Sequence, residues 1–216
     1  MIVKSFGCSF IFGSDLDDDG TKFKTRNASQ HTWPALIAKQ LGYQYQCYAK
    51  PGIGNLQIAN SVLNQIHNHA DTLWIIGWTW IDRFDYTNPV NDQWATLMPA
   101  DNDSGAQVYY RHFHSQYRDK LVSLINVSTV LDALTSVGAK FVMTYTDPLI
   151  FETEYHCDAA IQLLQNKIKP NMCQFNGQTF LDFSRSNNFP ISERWHPLEA
   201  AHQAAAEYML ATQRFR

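Results

Sequence analysis

Along the chain, short apolar runs alternate with stretches of helical spacing. The runs Ile2–Phe6, Tyr43–Tyr48, Thr72–Trp78, Lys140–Tyr145 and Thr179–Phe183 read as strands. Between them, Trp33–Leu41, Leu56–His69, Gln116–Val137, Asp158–Ile168 and Leu198–Thr212 read as helices. Gly42 and Gly138 follow the first and third of these, where a left-handed residue stops a helix. Short strands separated by helices predict a parallel sheet covered on both faces, joined by right-handed crossovers. The expected fold is therefore α/β, a three-layer α/β/α sandwich around a mostly parallel sheet of about five strands. No repeat and no linker rich in Pro, Gly or Ser divides the chain, so a single domain over 1–216 is expected.

One segment breaks the rhythm. Residues 84–114, FDYTNPVNDQWATLMPADNDSGAQVYYRHFH, mix turn formers with aromatics and hold no sustained period. Long excursions of this kind are uncommon and usually functional or mobile. This one follows the third strand, on the side where a site would lie. It is expected either to wall a substrate pocket or to form a surface loop or subunit contact.

The first strand ends in Gly7-Cys8-Ser9. Ligands gather at the carboxyl ends of parallel strands, so Ser9 stands where a nucleophile would be displayed. Serine needs a base to take its proton, and the base needs a third group to orient it. Among eight histidines, His196 stands out in SERWHPLEAAH, just before a helix with Pro197 at its first position. Glu193, three residues earlier, is able to fold back on the imidazole across one turn. Cys8 beside Ser9 is a rival nucleophile, but neighbours at a strand end point opposite ways and His196 serves one of them.

Composition narrows the choices. The net charge is −3 with 17 scattered basic residues, which leaves no electrostatic footprint for nucleic acid. No apolar run approaches a membrane span, and the N-terminus lacks the pattern of a signal peptide, so a cytoplasmic protein without membrane contact is expected. Four widely spaced cysteines read as free thiols. Asp15 to Gly20 imitates the start of a calcium loop, but Arg26 stands where the bidentate Glu belongs, so a solvated acidic loop is expected. The pairs His67/His69 and His112/His114 have no accompanying carboxylate or Cys pattern and read as surface residues. Neither a metal nor a cofactor is expected. A nucleotide- or flavin-binding domain is disfavoured, since strand one leads into no Gly-rich phosphate loop and the acidic run would repel phosphate.

The first and last blocks resemble the SGNH hydrolases, or GDSL-type esterases and lipases. Gly7-Cys8-Ser9-Phe10 is similar to the family's nucleophile turn, with Cys for Asp, and Glu193-Arg194-Trp195-His196 to its Asp-x-x-His block. The resemblance implies the flavodoxin-like SGNH fold, with Ser9 as nucleophile, His196 as base and Glu193 as orienting acid. For the oxyanion hole it implies the Ser9 amide and a glycine after strand two, either Gly52 or Gly54. The family's usual Gly-x-Asn-Asp reads Gly77-Trp78-Thr79-Trp80 here, which leaves Thr79, Asn55 or the Arg83 side chain as the further donor. Cys8, Trp78, Arg83 and Trp195 flank these positions and are the expected pocket lining. The implied function is hydrolysis of carboxylic esters, with a short acyl group on a saccharide or other small polar alcohol. The alternative is a non-catalytic glycan- or peptide-binding module on the same fold. Oligomeric state is open.

Overall fold

The structure, a computed structural model, describes residues 1–18, 27–68 and 70–212. Four strands, β1 (Ile2–Gly7), β2 (Gln44–Cys47), β3 (Thr72–Trp78) and β6 (Lys140–Tyr145), form a wholly parallel sheet in the order β2-β1-β3-β6. Helices α2 (Trp33–Leu41), α3 (Asn55–Leu63), α5 (Gln116–Ser136), α6 (Ala159–Ile168) and α8 (Glu199–Ala211) supply the crossovers and the outer layers. β3 is buried at every position, as a continuous apolar run in a two-sided sheet requires. Its side chains alternate between two cores. Leu73 and Ile75 pack with Val3, Val142, α2 and α8, while Trp74, Ile76 and Trp78 pack with Phe6, Met143, α3, α5 and α6. The three-layer sandwich is the expected one. Among the described residues no helix is long and apolar enough to cross a membrane.

The fifth expected strand is a helix. Thr179–Phe183 lies largely in α7 (Phe180–Ser186). The Thr179 hydroxyl accepts from the Asp182 N–H at 3.2 Å and donates to the Asp182 carboxylate at 2.7 Å, a reciprocal cap that starts a helix where the short apolar run suggested a strand. Phe180, Leu181, Phe183 and Ser184 are buried at helical spacing. The sheet's outer edge is met instead by a single parallel bridge, Met143 to Met172. The helix expected over Leu56–His69 stops at Leu63 and gives way to a 3-10 turn over Ile66–Asn68. His69 lies outside the described residues, as do Asp19, Gly20 and Arg26 of the calcium-like stretch.

Segment 84–114 is more ordered than its sequence period suggested. β4 (Phe84–Thr87) and β5 (Trp94–Leu97) form an antiparallel hairpin, and α4 (Ser104–His112) follows, capped by Asp103. Four-residue strands and a nine-residue helix are too short to establish a period against the turn residues between them. The hairpin is clamped to the domain through Asp85. This buried carboxylate accepts from the Gly54 and Gln57 amides at 2.8 and 2.9 Å, closing the N-terminus of α3. It also accepts from the Gln57 side-chain amide and, at 2.7 Å, from the Thr96 hydroxyl. A Cβ on Gly54 would lie 2.7 Å from that carboxylate, so only glycine fits there.

Candidate active site

The turn that carries Ser9 depends on two glycines side by side in the sheet. Gly7 and Gly77 are register partners on β1 and β3. A Cβ on either would come within 2.6 Å of the Ile11 side chain, which seats in the slot they leave. That contact lets the chain fold directly from β1 into the one-turn helix α1 (Ser9–Phe12) across the strand ends. Ser9 is its first residue, so its backbone N–H has no partner within the helix. Cys8 points the other way, 2% exposed among core residues, and is therefore neither a pocket residue nor a rival nucleophile.

Ser9 and His196 open onto one cavity of about 200 Å³, together with Asp15, Gly52, Arg83, Met98 and Arg194. The two come from opposite ends of the chain. Among the described residues the Ser9 hydroxyl makes no hydrogen bond to the imidazole; in unliganded sites such contacts are often long and tighten with substrate. His196 is held by Phe10, whose ring meets it edge-on at 5.7 Å, and by the turn 192–196, closed by the Ser192 N–H donating to the His196 carbonyl at 2.9 Å.

The acid on His196 is not Glu193. Nδ1 of His196 lies 2.7 Å from the Asp15 carboxylate, and Glu193 is exposed at the outside of the turn. Asp15 is reached because Gly13 ends α1 in the left-handed conformation and Asp15 itself adopts φ 70°, a conformation Asp tolerates better than most. The Ser192 hydroxyl donates to the same carboxylate oxygen at 2.7 Å and accepts from the Arg194 and His196 amides, so one hydroxyl sets both the acid and the histidine turn. Burial pushes the Asp15 carboxyl up. The hydrogen bonds from His196 and Ser192, with the His196 and Arg194 charges, outweigh that and hold it below the usual carboxylate range, which keeps it ionised. Arg194 approaches it at 3.8 Å.

The expected oxyanion donors separate in the same way. Gly52 lines the cavity. Gly54 does not, because its amide is spent on Asp85. Asn55 is a structural bridge: its side-chain amide donates to the Thr79 carbonyl and the Ser123 hydroxyl at 3.3 and 3.1 Å, and its oxygen accepts from the Thr79 amide at 2.9 Å. Thr79 is 1% exposed, and its hydroxyl is buried, has no hydrogen-bond partner among the described residues, and is not among the groups lining the cavity. Trp78 is fully buried in the core. Trp195 is 62% exposed, at φ 66°, with Arg185 5.1 Å over its ring, and is not among the cavity-lining residues. Of the residues expected to line the pocket, Arg83 alone does so.

Thr79→Val is accordingly expected to change kcat on p-nitrophenyl acetate by less than about threefold. It should leave thermal stability equal or slightly higher, since it removes an unsatisfied buried hydroxyl at nearly constant shape. A hundredfold drop in kcat would return Thr79 to the oxyanion hole.

Sequence reasoning missed Asp15, Ser192, Asp85 and Met98. Asp15 carried a usable signal, a carboxylate just past the Gly13 stop that follows the nucleophile turn. The acidic run behind it made it look like solvated surface.

Four parallel strands, with the Ser9 turn after the first and the His196 turn before the last helix, define the topology. Solved structures superpose over nearly the whole chain. The psychrotrophic esterase EstA from a Pseudoalteromonas species superposes with a TM-score of 0.56 at 8% identity, covering 99% of this chain and 96% of its own. TesA gives 0.55 at 14% identity, with 98% and 97% covered. The fold is that of the GDSL-type, or SGNH, esterases. The acetyl xylan esterase Est2A from Butyrivibrio proteoclasticus superposes with a TM-score of 0.58 at 14% identity, over 99% of this chain and 63% of that longer one. No protein-family model and no curated protein sequence matches the chain.

Proposed function

We propose that the protein is a serine hydrolase of carboxylic esters, acting through an acyl-enzyme. The observation that carries this is the convergence on one cavity of Ser9, His196 and an Asp15 carboxylate 2.7 Å from the far nitrogen of the imidazole. Ser9 attacks the ester carbonyl while His196 takes its proton through the nitrogen that Asp15 leaves free. As the carbonyl re-forms, the C–O bond to the alcohol breaks and His196 returns the proton to the leaving oxygen. Water repeats the sequence to release the acid. Asp15 fixes the tautomer and stabilises the imidazolium, and the Ser9 and Gly52 amides hold the oxyanion.

Two features favour a short acyl group on a polar alcohol. The cavity is smaller than the 300–1,000 Å³ typical of pockets for drug-sized ligands, about the room for an acetyl and the reacting atoms. Through Pro51, Gly52 and Met98 it continues into an open groove bordered by the hairpin, where Lys50, Gln93 and the indole of Trp94 offer hydrogen bonds and an apolar face. Such a surface suits a sugar ring, and the fold's appearance in an acetyl xylan esterase is consistent with it.

Labelling with a fluorophosphonate probe tests the reading. The intact mass of the wild type should rise by one probe equivalent and that of Ser9→Ala should not change. A wild type that neither labels nor hydrolyses p-nitrophenyl acetate would leave the non-catalytic glycan- or peptide-binding module in its place.

A further inference from the structure

The cavity contains a cation that the serine, histidine and acid do not use. Arg83 comes from the loop between β3 and the hairpin, and its guanidinium donates one N–H to the Ile53 carbonyl at 2.9 Å. That bond fixes the head group against the Pro51–Gly54 loop, with the side chain half-buried and lining the cavity that Ser9, Gly52 and His196 also line. Among the described residues no carboxylate forms an ion pair with it; the nearby cavity acid, Asp15, is held by His196, Ser192 and Arg194. A guanidinium has five N–H donors in a fixed fork, so one bond to Ile53 orients the group and leaves donors over.

The chemistry asks for a donor at this place. When Ser9 attacks, the carbonyl π pair moves onto oxygen, and full negative charge builds there until the leaving alcohol departs. Backbone amides of Ser9 and Gly52 supply two hydrogen bonds. Of the three side chains from which a third was expected, two are committed elsewhere, Asn55 to Thr79 and Ser123, and Thr79 to the interior. We propose that Arg83 is a catalytic residue that donates the third hydrogen bond to the oxyanion. It takes the role that a neutral side-chain amide plays elsewhere in the fold. This rests on the serine-hydrolase reading. A charged donor makes a shorter and stronger hydrogen bond than a neutral one. It acts where charge develops, so its contribution belongs to turnover rather than to ground-state binding. Arg83 transfers no proton.

The test uses neutral p-nitrophenyl acetate, which offers no anionic group for an arginine to bind. Arg83→Ala and Arg83→Lys are compared with wild type for kcat, KM and the rate of fluorophosphonate labelling, whose transition state carries the same oxyanion. Arg83→Ala is expected to lose about a hundredfold or more in kcat, the usual effect of removing one oxyanion donor, with KM changed less than about threefold. Labelling should slow in parallel. Arg83→Lys should recover part of the loss, and millimolar guanidinium should restore turnover to Arg83→Ala saturably. A merely structural arginine would show neither recovery. The inference is overturned if kcat is unchanged in Arg83→Ala, or if KM alone rises. It is likewise overturned if a folded Arg83→Ala, checked by circular dichroism, loses activity that neither lysine nor guanidinium restores. Wild type that is inactive and unlabelled would instead sink the hydrolase reading beneath it.

Discussion

Ser9→Ala and His196→Ala are each expected to lower kcat for ester hydrolysis by about 10⁶-fold, and Asp15→Asn by about 10⁴-fold. In the proposed mechanism the first two remove the nucleophile and the base. Asp15→Asn keeps the shape of the acid but presents Nδ1 of His196 with an amide, which favours the wrong tautomer and does not stabilise the imidazolium. Glu193→Ala should stay within about threefold of wild type, because that carboxylate is exposed while Asp15 occupies Nδ1 at 2.7 Å. The Ser9→Ala/His196→Ala double variant should be no worse than either single one, since the groups act as a unit. Steady-state kinetics on p-nitrophenyl acetate read all five proteins. Equal losses from Glu193→Ala and Asp15→Asn would mean that the acid role is shared or moves when substrate binds. Full activity in Asp15→Asn would remove it from the mechanism.

The second large effect is on stability in acid. His202, on α8, is 1% exposed, and its Nδ1 accepts from the Trp33 N–H at 3.1 Å, supplying the first turn of α2 with a partner from another helix. Burial, aided slightly by the His196 charge and opposed by the Pro197 carbonyl, pushes its pKa down from 6.5 to about 3. Between those values the unfolded chain binds a proton that the folded protein refuses. Stability from this group is therefore fully present above pH 6.5 and falls with decreasing pH. The slope is about 1.4 kcal/mol per unit, and the total by pH 3 is of order 4–5 kcal/mol. Asp82, Asp119 and Asp147 have carboxyl pKa values raised mainly by burial, so they oppose the trend at the acid end of that window. Denaturant unfolding at pH 7, 5.5 and 4.5, compared with His202→Asn, isolates the histidine. The asparagine keeps an acceptor for Trp33 without titrating. Parallel pH profiles for the two proteins would show that His202 accepts its proton while folded.

Patterning made the layers legible because they follow from local composition. A run such as TLWIIGW has no polar face, so it must be covered on both sides, and β3 is one of the two inner strands for that reason. The glycine stops at Gly42 and Gly138, the nucleophile turn and the proline-led start of α8 are likewise written within a few residues of where they act. The false strand at Thr179–Phe183 shows the limit of the same logic. Five mostly apolar residues also satisfy one helical turn, and a hydroxyl–carboxylate cap decided between them.

The site divides along the same line. Sequence by itself determined which residues stand at strand ends and helix starts, and so identified Ser9 and His196, while the family resemblance offered Gly52 or Gly54, and Thr79, Asn55 or Arg83, without choosing among them. It did not determine which carboxylate meets His196 or which donors face the cavity. Those depend on distances between segments far apart in the chain. Asp15 reaches His196 because a left-handed turn after α1 brings it back toward the turn 192–196, where Ser192 also meets it. Asn55 is lost to the oxyanion because α3 and α5 pack close enough for its amide to bridge Thr79 and Ser123. A side chain's choice among hydrogen-bond partners is made by whichever groups packing brings within about 3 Å, and only the tertiary structure sets that list.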